Sequence, residues 1–269
     1  MSHALAAVCF LVASALASSA ETLLDQAYTD MYNLRFEEAH GVLATYEAAH
    51  PKDPLGPVSD AAACLFSEFD RLHILQSQLF LDDAAVAYGG KRQPDPAIRV
   101  RFEQDLAKTN GLAQAEMQTR GARANALFAA TLRLGLDADY LALIDGREVA
   151  ALGEIKKGRQ LAQQLLVEDP SYYDAYIAIG VENYILSCKA APVRWFLHLA
   201  GAQTDKQTGL EKLGLTAERG HYLKPYARLL LAIAALRDHN RTKARELLQW
   251  LADNYPRNHL YRAELAKLR

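Results

Sequence analysis

Side-chain catalysis needs groups that converge, such as a nucleophile beside its base, two carboxylates across a cleft, or several His, Cys and acidic ligands around a metal. The sequence holds these residue types without a spacing that joins them. There is no Gly-x-Ser-x-Gly, and no cysteine stands beside a histidine in a spacing that would make it a nucleophile. The histidines are scattered, none in His-Glu-x-x-His or near a Cys-x-x-Cys, so no metal site is expected. Gly89-Gly90 follows no strand-like segment, which argues against a phosphate loop. Asp30, Glu37, Glu38, Glu68, Asp70, Asp174 and Glu182 recur at helical spacing and read as solvated faces. The same reading covers the basic groups Lys156, Lys157 and Arg159, and Arg241, Lys243 and Arg245. The expectation is a protein that is not an enzyme and takes no cofactor.

The feature that remains is DPSYYDAYIAIGVENYIL at 169–186, in which Tyr172, Tyr176, Gly180 and Tyr184 fall four apart. On a helix they form one line, either an aromatic contact strip or a packing seam. Gly180 and Tyr176 read as seam, because glycine lets a neighbouring helix approach closely, and Tyr172 reads as part of the turn after Pro170. Asp205, just before KQTGLEKL, reads as a helix N-cap. Trp195 and Phe196 lie in VRWFLHLAG after Pro192, where an exposed Trp would make a natural partner contact.

Positioning these groups falls to helices. The 269 residues are 51% hydrophobic with a net charge of −2, which supports a core and argues against a dedicated nucleic-acid binder. From Glu21 onward the pattern is helical almost throughout. Helices are expected at 57–80, 96–118, 122–135, 138–151, 154–168, 172–187, 192–200, 206–219, 222–237, 241–253 and 258–268, after an N-terminal hairpin that turns at Asn33-Leu34-Arg35 and ends at Pro51. Residues 82–96 are the one long surface connector expected.

Residues 1–20 have the form of a secretory signal peptide: an apolar run from Ala4 to Ala17, then small residues that suit cleavage after Ala20, though no Lys or Arg precedes the run. The mature chain, 21–269, is then exported, periplasmic or secreted, with no stable membrane span. Val8 before Cys9 argues against a lipid anchor, and Cys64 and Cys188 read as two buried thiols, although an oxidising compartment could bridge them.

A ruler recurs along the chain. Pro51 has Ala39 twelve residues before it and Ala27 twelve before that; Pro170 has Gly158 and Gly146; Pro256 has Ala244 and Ala232. Small residues at that spacing mark where paired helices approach, and proline stops the second helix. NLRFEEAHGVL before His50-Pro51, EDPSYYDAY after Gly153 at the turn, and RTKARELLQWLADNYPRN resemble tetratricopeptide (TPR) repeats. Three departures stand out: Asp145 falls where an apolar residue belongs, Gly158 replaces the usual alanine, and the prolines are 119 and 86 residues apart, not multiples of about 34. Residues 145–265 are similar to bacterial exported TPR proteins and to the eukaryotic TPR-like family of outer-membrane and inclusion-body clearance.

The resemblance implies an all-α fold, antiparallel hairpins stacked into a right-handed α-solenoid that is irregular in its middle. It implies a scaffold that binds a protein or peptide partner on its concave face. Within that frame Asp174, Ile177, Val181, Tyr184 and Ile185 would point inward, and Trp195 would join them. The alternative is a binding protein for a small or lipid-like molecule in an apolar cavity lined by the tyrosines, Trp195 and Phe196.

Overall fold

The computed structural model describes residues 23–75, 93–119, 121–188 and 202–268. The leader expected at 1–20, most of the 82–96 connector, and the helix expected at 192–200 with Trp195 and Phe196 lie outside the described residues. Within them every regular element is helical. α1 covers residues 23–32. There follow α2 (Phe36–Ala49), α3 (Leu55–Arg71), α4 (Pro96–Glu116), α5 (Arg123–Leu143), α6 (Glu148–Glu168), a 3-10 turn (Tyr173–Ala175), α7 (Tyr176–Ser187), α8 (Lys206–Arg219), α9 (Lys224–Arg237), α10 (Arg241–Asn254) and α11 (His259–Ala266). From α2 onward each helix packs on the next along the chain, and α3 also packs on α5. No described helix is long and apolar enough to cross a membrane.

The helices come in two lengths, and this explains where the ruler fails. α2, α8, α9 and α10 have 14 residues each. α4, α5 and α6 have 21. Seven residues make about two helical turns, so the longer helices keep the same face toward their neighbours while reaching further. The sequence placed breaks after Gly135 and at Gly153, yet both glycines lie inside helices with open space where a Cβ would be. Each costs about 1 kcal/mol of helix propensity, which packing of α5 along α6 offsets. The turn is at Gly146, with φ 66°, a left-handed conformation suited to glycine. Gly146 is therefore not a close-approach position, whereas buried Gly158 is, with the site of its Cβ 3.5 Å from Leu134 Cβ. Asp145 belongs to this turn and pairs with Arg99 at 3.6 Å, so it never occupied a core position. Ala27, Ala39, Ala232 and Ala244 are fully buried, as expected of the ruler's small residues.

Three helices end in one capping geometry. Leu34, His73 and His239 have φ of 59°, 57° and 56°. The next residue's amide reaches back five residues: Arg35 to the Asp30 carbonyl, Ile74 to Phe69, and Asn240 to Ala235. A left-handed residue at that position normally favours glycine.

α3 is the middle of the molecule. Every residue from Leu55 to Leu65 is buried, so this helix meets protein on all sides, unlike a surface helix with one apolar stripe. Beyond α2, α4 and α5, it touches α1, where the Ser59 hydroxyl bonds to Tyr28, and α9, where Phe66 meets Tyr226 edge-on at 5.7 Å. The first described helix also meets the later turns. Tyr32 donates to the Tyr222 carbonyl at 2.8 Å, Arg257 N–H donates to Asn33 Oδ1 and Asn258 Nδ2 donates to the Tyr32 carbonyl. Tyr28 stacks on Tyr222 at 4.8 Å.

His239 is exposed, so its side chain contributes little to offset the left-handed backbone. His239→Gly is expected to stabilise the fold by about 1 kcal/mol in urea denaturation, and an unchanged or lower midpoint would contradict the strain assigned to this turn.

Candidate functional site

The six residues singled out from the sequence are not equivalent in the structure. Asp174 is 3% exposed and lies in the 3-10 turn before α7. Its carboxylate accepts the backbone amides of His221, Tyr222 and Leu223 at 2.9–3.0 Å, closing the turn between α8 and α9. Burial pushes its pKa above the ordinary carboxylate range, while the three amides pull it down. Gly220 is required beside it, because a Cβ there would stand 2.5 Å from Asp174 Oδ1 and 2.6 Å from the Thr216 carbonyl. Ile177 and Tyr184 are buried as well. A Cβ at Gly209 of α8 would meet the Tyr184 backbone nitrogen at 2.6 Å, and one at Gly180 would meet Leu213 at 2.8 Å. These two glycines let α7 and α8 approach backbone to backbone, the role expected of Gly180.

On α7, Ala178 and Val181 are half-buried and Ile185 is 40% exposed. At spacings of three and four these residues share one helical face. Of the proposed contact residues with described side chains, Val181 and Ile185 are therefore the ones with surface to offer. Trp195 lies outside the described residues. Tyr172 packs on Phe128 at 4.9 Å, and Tyr176 donates to the Pro170 carbonyl at 3.2 Å. Asp205 caps α8 by accepting the Thr208 amide at 2.7 Å.

Several carboxylates that read as solvated are interior acceptors. Glu68, 1% exposed, takes Arg71 at 2.6 Å and the Asp95 amide at 2.8 Å, fixing the entry to α4. Glu182, also 1% exposed, is ion-paired with Arg159 at 2.5 Å and accepts the Gln203 amide, while neighbouring Asn183 accepts the Asp205 amide. Arg159 is thus buried at 7% rather than on a solvated face. Asp30 is buried against Arg35 at 3.2 Å. Helical spacing alone does not say which face of a helix is covered. Within a closed all-helical body, a charged residue near a helix end is often the partner for another element's terminal amides.

The densest polar cluster is one that sequence reasoning missed. His40 of α2 lies with Nδ1 2.5 Å from Asp60 Oδ1 on α3. Arg101 of α4 holds the other Asp60 oxygen at 2.7 Å. Cys64, one turn along α3 from Asp60, is 2% exposed, and Asp105 of α4 lies near enough to Asp60 to feel its charge. Burial works to raise the Asp60 pKa, but His40 and Arg101 outweigh it and hold it below the usual range. Asp105 is pushed up to about 8 by burial and by the Asp60 charge, and burial pushes the Cys64 thiol up to about 12. A signal was present: His40 falls on the apolar face of α2, and Asp60 and Cys64 are four apart in an otherwise apolar helix. Cys64 and Cys188 are both free, Cys64 buried and Cys188 half-buried.

Compared with protein-family models, with curated proteins and with solved structures, the chain matches none of them.

Loss of the Asp174 carboxylate leaves three amides without their acceptor. Asp174→Ala is expected to cost about 2–4 kcal/mol in urea denaturation. Gly220→Ala should also destabilise, and by less in the Asp174→Ala background, since part of its clash is with that carboxylate. A cost below about 0.5 kcal/mol for Asp174→Ala would contradict the bracing role.

Proposed function

We propose that this chain is an exported, non-enzymatic TPR-like scaffold, its helical pairs stacked as a right-handed solenoid, that binds a protein or peptide through the outer strip of α7. The observation that carries the reading is the apolar face Ala178, Val181 and Ile185, part-covered at one end and 40% exposed at Ile185. Asp174, Ile177 and Tyr184 serve this reading by setting the pose of α7 rather than by touching the partner. A helix presenting an apolar stripe at spacings of three and four suits a partner helix or extended segment that contributes its own apolar anchors. The repeat resemblance and the packing of neighbouring helices in consecutive pairs support a binding role over a catalytic one.

The test is photo-crosslinking in the producing cell, with a photoreactive residue replacing Ile185 and, as control, replacing Glu246, 66% exposed on α10. A discrete adduct at position 185 and none at 246 is expected. No adduct, or the same adducts at both, would remove the α7 strip from consideration.

A second reading, a binding protein for a small or lipid-like molecule, is favoured by one set of contacts. Tyr226 of α9 rests on Phe66 of α3 and lies near Asp139 of α5. Asp139 keeps partial solvent access, yet burial alone pushes its pKa up to about 7. A deeply set carboxylate that keeps some solvent access beside aromatic rings would suit an apolar molecule carrying a hydrogen-bond donor. Native mass spectrometry of the purified chain would then show a retained small molecule that Asp139→Leu releases. A bare wild-type mass would end this reading.

A further inference from the structure

The cluster at α2, α3 and α4 belongs to neither reading, and its donor set is that of a metal site. His40 Nδ1, an Asp60 carboxylate oxygen and Cys64 Sγ all lie within 4.8 Å of one another. They come from two helices, with Asp60 and Cys64 one turn apart so that both project from the same side of α3. We propose that these three side chains bind one zinc-class divalent cation, the remaining coordination being completed by solvent.

Three features support this assignment. First, Asp105 of α4, close enough to Asp60 to feel its charge, has a buried carboxylate oxygen, Oδ2, with no hydrogen-bond partner. A buried polar atom left unpaired is costly, and a cation at this place would satisfy it. Second, the charges balance. With the ion bound, Asp60, a Cys64 thiolate and the neighbouring Asp105, which the cation's charge would ionise, carry three negative charges against the divalent ion and the Arg101 guanidinium, which stays on the Asp60 oxygen that the ion does not need. Third, the donors are of the right kind: thiolate plus imidazole selects zinc or cobalt over magnesium or calcium, which take oxygen ligands.

Metal–ligand bonds of about 2.0 Å to nitrogen and oxygen and about 2.3 Å to sulfur need the donors slightly further apart than the 2.5 Å between His40 and Asp60. A rotamer adjustment of His40, 11% exposed at the edge of the cluster, provides it. Coordination forms the metal–sulfur bond as the Cys64 thiol loses its proton to solvent, with no change of oxidation state. The bound ion would tie α2 to α3, the most buried of the described helices, which makes the site structural.

The test uses the tag-free full chain carrying Cys9→Ser and Cys188→Ser, so that Cys64 is the sole thiol. Titration with cobalt(II) is expected to give a sulfur-to-cobalt charge-transfer absorption that saturates at one ion per chain and is abolished by zinc. Cys64→Ser should eliminate the band, and His40→Gln and Asp60→Asn should each weaken binding about tenfold or more. Asp60→Asn could disturb folding by freeing Arg101, so the melting temperature of the parent chain is read in parallel. It should rise with zinc concentration, and fail to rise in Cys64→Ser. Absence of the band in the parent chain, its persistence in Cys64→Ser, or a melting temperature indifferent to zinc would each overturn the proposal.

Discussion

A single buried carboxylate sets the geometry on which much of the molecule rests. Asp174 gathers the amides of residues 221–223 and so dictates where α9 begins after α8. Tyr222, in that turn, is the ring on which Tyr28 of α1 stacks and the carbonyl to which Tyr32 donates. One turn into α9, Tyr226 meets Phe66 of the central helix. Without the turn in place, the first helix has no seat and α3 loses one of its covering faces. The geometry admits nothing larger than glycine at position 220, which ties an unremarkable residue to the same constraint.

The same device recurs at smaller scale. Asp53 accepts the Tyr46 hydroxyl, the Leu55 amide and the Asn125 amide nitrogen, joining the end of α2 to the start of α3 and to α5. Glu68 does this for the entry to α4, and Glu182 with Asn183 for the entry to α8. Helix ends carry unsatisfied amides and carbonyls, and a compact all-helical body has many of them close to its interior. Short acidic and amide side chains from neighbouring helices are the groups that can reach them. This accounts for so many polar residues being buried.

Closure of the first helix on the last turns bears directly on function. An open array leaves the faces of its first helices free along a groove. Here Tyr28 and Tyr222, and Phe66 and Tyr226, already occupy that interior with aromatic contacts. Among the described residues, the α7 strip ending at Ile185 lies outside these contacts, and Asp139 lies near Tyr226 within them. The two proposed readings rest on these different places, the first for a macromolecular partner and the second for a small molecule.

Local chemistry along the chain was enough to establish the helices, the hairpin turn after Asn33, the N-cap at Asp205, and the small residues Ala27, Ala39, Ala232 and Ala244. Each of these depends on residues within a turn or two, where periodicity and capping preferences act. Gly180 was legible for the same reason, as a gap in a line of tyrosines. Gly135 and Gly153 misled because a glycine's local cost is small beside the packing of α5 on α6, so two 21-residue helices run through them and the turn falls at Gly146. The side of α7 that faces inward, and the meeting of His40, Asp60, Cys64 and Asp105, were decided only by tertiary structure. Helical spacing determines which residues share a face, but not what that face meets, and the answer comes from helices tens of residues away.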